Sequence, residues 1–184
     1  LGYLELLESG TTTAIDHLSV AHAGEVFEVA GEMGLRARLG KVMMDQRSPP
    51  GLIEDTQDAL DESERLIQQY HGSFDDRIRY AVTPRFAVSC TEKCLRGSRR
   101  LADQYDGVRI HTHASENRDE VETVREDTGM ENVHWLDEVG LTGEDVILAH
   151  CVWTEESERA VLAETGTHVA HCPSANMKLG SGVA

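Results

Sequence analysis

Apolar positions along this chain alternate between helical and strand spacing. Leu4, Leu6 and Leu7 read as the last turns of a helix that Gly10 breaks. Residues 11–16 are β-branched and strand-like. Ala23, Val26, Phe27, Ala30 and Met33 recur at helical spacing until Gly34 stops them. Residues 35–44 form the next strand candidate, and Pro49-Pro50 marks a loop. Residues 54–71 put Ala59, Leu60, Ser63, Leu66, Ile67 and Tyr70 on one helical face. Ile78, Tyr80 and Val82 alternate as a strand ending at Thr83-Pro84-Arg85. A helix over 91–105, a strand over 107–113 and two short helices near 117–126 and 132–139 follow. A strand over 146–150, a helix from Thr154 to Gly166 and a strand over 167–172 complete the pattern. Six strands alternating with helices predict βαβ units, a parallel sheet and an α/β fold. No repeat, linker or low-complexity segment divides the chain, and 184 residues can bury one core.

Charge narrows the partners. Asp and Glu number 33 against 17 Lys and Arg, a formal charge of −16, so nucleic acid is a poor partner. Only Lys41, Lys93 and Lys178 are lysines. An acid-rich, lysine-poor surface suits either a protein hydrated in high salt or an ordinary acidic one. No apolar run is long enough for a membrane span, so no membrane partner is expected. Cys90, Cys94, Cys151 and Cys172 form no C-x-x-C or zinc-ribbon spacing, which suggests free thiols and a reducing, cytoplasmic setting. The chain begins with Leu1 and stops just after Gly182-Val183-Ala184, and it reads as an internal fragment.

The candidate chemistry sits at strand ends. His111-Thr112-His113-Ala114-Ser115-Glu116-Asn117 closes a strand, so His111 and His113 share a face and Glu116 lies in the following turn. Arg85, His150 and His171 end other strands. Parallel α/β sheets and barrels place their sites at those ends. Singly, each residue has an ordinary reading: a salt-bridged loop arginine, a hydrogen-bonded core histidine, a turn histidine. Four consecutive strands ending this way favour function.

These stretches resemble the metal-dependent amidohydrolase superfamily, in the aminohydrolase branch of guanine, adenosine-derivative and S-adenosylhomocysteine deaminases and triazine hydrolases. The matching segments are Gly10-Thr11-Thr12-Thr13, Thr83-Pro84-Arg85-Phe86, His111 to Asn117, Ala149-His150-Cys151, His171 to Asn176, and Leu179-Gly180-Ser181-Gly182. Met43-Met44-Asp45 and Ser115 to Glu120 look most like 5′-deoxyadenosine and S-adenosylhomocysteine deaminases. The resemblance implies a (β/α)8 TIM-type barrel of which residues 1–184 hold strands two to seven, a partial domain truncated at both ends. It implies His113 as a metal ligand, Glu116 as the proton shuttle, and His150 as a catalytic and substrate-contacting histidine. Arg85 falls where the fourth strand contacts substrate. A first-strand His-x-His and an eighth-strand Asp would lie outside the chain, so the fragment alone would be inactive.

The implied cofactor is one divalent metal, zinc or alternatively iron, both suited to imidazole. Zinc lowers the pKa of its water to about 7. The implied reaction is hydrolytic deamination of a purine-like or other N-heterocyclic small molecule, with a homo-oligomer expected. The alternatives are hydrolytic dechlorination or dealkylamination of a triazine, and a non-catalytic barrel used as a binding module. The cytidine deaminase signature, H-E-x-x-H, G-x-S-x-G and G-x-G-x-x-G are absent. Val42 after Gly40-Lys41 defeats a P-loop, and nothing beyond strand placement supports Lys41 as a bridging carboxylated lysine.

Overall fold

The computed structural model describes residues 1–184. Six strands lie parallel in sequential order: β1 (Ala14–Leu18), β2 (Ala37–Met43), β3 (Ile78–Pro84), β4 (Arg109–Ala114), β5 (Val146–His150) and β6 (His168–Ala170). Helices α1 (Gly2–Glu8), α2 (Ala23–Glu32), α3 (Thr56–Tyr70), α4 (Ser73–Asp76), α5 (Glu92–Ala102), α6 (Arg118–Thr128), α7 (Asn132–Glu138), α8 (Glu156–Thr165) and α9 (Pro173–Leu179) connect or flank them. Sequential order without reversal is the order of a barrel rather than of a doubly wound sheet.

The sheet is strongly curled. The His17 ring on β1 lies 4.3 Å from the His111 ring on β4. Three strand spacings in a flat sheet would separate them by roughly 14 Å. The six strands form a half-barrel with these histidines on its inner face. Gly40 stands in register with His17. A Cβ there would lie 2.1 Å from the Ala81 carbonyl, so the close approach of β2 and β3 admits only glycine. The next residue, Lys41, faces away from His17 and pairs with Glu54 at 2.5 Å. Its ammonium is thus committed outside the half-barrel.

The main core lies between sheet and helices. β3 is buried along nearly its whole length, as a parallel strand covered on both faces must be. Phe27 of α2 stacks between Tyr70 and Tyr80, at 4.9 and 5.6 Å. Truncating such a ring to alanine costs about 3–5 kcal/mol. Helix starts are locally specified: Asp55 caps α3 through Gln57 N, and Thr91 caps α5 through Cys94 N. The predicted strands and principal helices are all present, with ends shifted by a few residues. The pattern did not indicate α4 or α9. All four cysteines are free thiols, and no helix is long and apolar enough to cross a membrane.

Candidate active site

β4 delivers His113, and the neighbouring strand fixes its ring. His113 Nδ1 lies 2.6 Å from the Arg85 carbonyl oxygen, which also accepts from His113 N at 3.0 Å. A carbonyl can only accept, so Nδ1 carries the proton and Nε2 keeps its lone pair. Burial lowers the ring's pKa from the usual imidazole value, while the Arg85 carbonyl opposes that shift. A neutral imidazole with its other nitrogen tied to a carbonyl has the form of a metal ligand.

Immediately after β4 the chain turns at Ser115, with φ of 51°. At the end of β5, His150 and the following Cys151 are also left-handed, at 76° and 49°. Such non-glycine conformations cost on the order of 1–3 kcal/mol each and persist where surroundings over-determine them. Here the two turns hold one another. The Ser115 carbonyl accepts from Val152 N at 3.0 Å and Trp153 N at 2.9 Å, while Ala114 O accepts from Cys151 N at 2.9 Å. This lock brings Glu116 Oε2 to 3.8 Å from His150 Nε2, with the His150 ring 5.4 Å from that of His113. Asn176, at 1% exposure, meets His150 Nδ1 at 2.9 Å and anchors the ring from behind.

Two further histidines on the inner face accompany this group. His17 lies 4.5 Å from the His113 ring as well as beside His111. Both nitrogens of His17 and of His111 are buried without a hydrogen-bond partner. Burial, then His111 and His113, hold His17 well below the usual imidazole range. Burial, then His113 and His150, push His111 down to about 3. Neutral buried imidazoles with free lone pairs suit a divalent zinc or iron ion nearby. No three His, Cys, Asp or Glu side chains converge as a ready cation site. His113, with its proton tied at Nδ1 and its Nε2 lone pair free, has the chemistry of one ligand of such a site.

The predicted residues are not all brought together. His113, Glu116 and His150 converge. The Arg85 side chain is exposed, with its guanidinium 5.1 Å from the Phe86 ring, while its carbonyl holds His113. His171 is exposed one residue beyond β6 and stands apart. Sequence reasoning missed His17 and quoted Asn176 only within the matching stretch His171 to Asn176, without a role. The alternation of Ile15 and His17 along β1 was the available signal for the first. The second lies on α9, a helix the pattern did not show.

The sequence matches the Amidohydrolase family over residues 1–184. It is 42% identical to the 5′-deoxyadenosine deaminase of Methanothermobacter thermautotrophicus, covering 100% of this chain and 42% of that relative. A crystal structure of guanine deaminase from C. acetobutylicum with bound guanine superposes with a TM-score of 0.93 at 28% identity. That match covers 98% of this chain and 44% of the other. An adenosine deaminase from Xanthomonas campestris with bound zinc gives 0.88 at 29% identity, over 98% and 39% of the two chains. The chain thus spans about 42% of the length of the first of these relatives. It belongs to the amidohydrolase family.

Proposed function

We propose that residues 1–184 supply strands two to seven of a (β/α)8 barrel enzyme that hydrolytically deaminates a purine-like heterocycle. The observation that carries this reading is the meeting of Glu116 and His150 beside the carbonyl-tethered His113. The whole protein would bind one metal, zinc in preference to iron, through His113 and ligands from outside this chain. That metal would supply an activated water for attack on the amino-bearing ring carbon.

Glu116 would accept the water's proton on its carboxylate and pass it to the ring nitrogen. It would then take the proton of the newly attached hydroxyl and deliver it to the departing amine, so that the carbonyl forms as the carbon–nitrogen bond breaks and ammonia leaves. His150 Nε2 faces the same carboxylate and would orient it or the new oxygen. Arg85 is assigned to substrate contact at the rim. A groove of about 620 Å³, bordered by Glu116, Trp153 and Gly180, offers an approach. Alone, residues 1–184 would be inactive, with His113 as their one ligand.

The test uses the full-length protein with added zinc. Ammonia release from 5′-deoxyadenosine, S-adenosylhomocysteine or guanine is expected. Chloride release from a chlorinated triazine without deamination would favour the dechlorinating alternative. Metal binding without turnover of any of these would favour a binding module.

A further inference from the structure

Glu120 is a buried carboxylate that the proposed chemistry does not use. It is 4% exposed and occupies the third position of α6, whose N-cap is Asn117. Asn117 Oδ1 accepts from Glu120 N at 2.9 Å, which is one half of a capping box. In the usual second half, the glutamate returns to the N–H of the cap residue itself. α8 does this, with Glu155 N donating to Glu158 at 2.8 Å. Glu120 instead reaches past Asn117. Its Oε2 accepts from Glu116 N at 2.9 Å, and its Oε1 from Ser115 N at 2.9 Å. Asn132 Nδ2 also donates to Oε1, at 2.7 Å, and fixes the carboxylate from α7. Helix capping alone does not require those two earlier amides. They belong to the left-handed turn that aims Glu116.

We propose that Glu120 is a positioning residue for Glu116: its carboxylate grips the Ser115 and Glu116 amides and so sets where the proton-carrying side chain stands. This rests on the reading of Glu116 above. Burial raises the Glu120 pKa, while the Glu116 amide, Asn132, Ser115 and Asn117 pull it back toward the ionised form that can accept all these bonds.

The informative variant is Glu120→Gln in the full-length protein. Oε1 has two donors and must stay an oxygen, so the new amide nitrogen would face Glu116 N and release it. Displacement of a reacting group on this scale costs about 10²-fold in rate. The expected result is a fall in kcat of that order, with KM and metal content unchanged. In a Glu116→Gln background the same substitution should change kcat no further. Faster hydrogen exchange confined to residues 114–117 should accompany it. Equal losses in both backgrounds, or no loss in the first, would overturn the proposal. If Glu120→Gln does not fold, Asn132→Ala loosens the carboxylate while retaining it. The same pair of backgrounds then applies, and equal losses in both, or no loss in the first, again overturn the proposal. Normal turnover in Glu116→Gln alone would instead remove the functional reading and this inference with it. A normal Glu116→Gln loss beside a neutral Glu120→Gln would remove only the inference.

Discussion

His150 Nε2 stands 3.8 Å from Glu116 Oε2, although the two residues belong to the ends of different strands. The gap is set by backbone rather than by the pair itself. Ser115 O, gripped by Val152 N and Trp153 N, ties one turn to the other, and Asn176 holds the far side of the imidazole.

Asn176 should therefore matter to turnover and little to metal content. Supporting groups behind a reacting residue typically contribute about 10–100-fold. Asn176→Ala in the full-length protein is expected to lower kcat by that order. Steady-state kinetics with parallel metal analysis reads it. Wild-type kcat would show that His150 needs no such support.

His113 should govern metal retention. His113→Ala removes the imidazole whose Nδ1 the Arg85 carbonyl holds. Metal analysis of the purified full-length variant should show reduced occupancy. Occupancy and activity equal to wild type would exclude His113 as a ligand.

Alkaline pH should weaken the fold through Tyr80 and Cys151. Burial raises each to about 12, from ordinary values of 10.0 and 9.0. The unfolded chain releases these protons first, so their stabilising contribution is complete below about pH 9 and is lost as pH rises toward 12. Urea midpoints measured between pH 8 and 11 should fall, and less steeply in Tyr80→Phe. A flat profile would contradict the assignment.

Salt should act in the opposite direction. A charge of −16 with three lysines implies self-repulsion that counterions relieve. Thermal unfolding of the full-length protein should move upward between low and molar potassium chloride. A flat or falling midpoint would remove adaptation to high salt.

Much of the architecture was legible in the sequence because short strand-like segments, such as the alternating Ile78, Tyr80 and Val82 of β3, recur between stretches of helical spacing. His113, Glu116 and His150 were legible because each lies at or just beyond a strand end. His17 was not, because its role depends on a curl that brings β1 against β4, and no local pattern encodes that closure. His171 shows the converse. It has the same position in the strand pattern, yet β6 is only three residues long and leaves it exposed. Asn176 and Glu120 act through contacts 26 and 4–5 residues away, visible only once the turns are folded.

The most direct test of the account is the kcat of Glu116→Gln in the full-length protein at verified full metal occupancy. The substitution keeps the shape of the side chain and removes its capacity as a base. The account predicts a loss of about 10²–10⁴-fold in ammonia release, with metal retained. Near-normal turnover at full occupancy would contradict it, because another group would then be moving the proton.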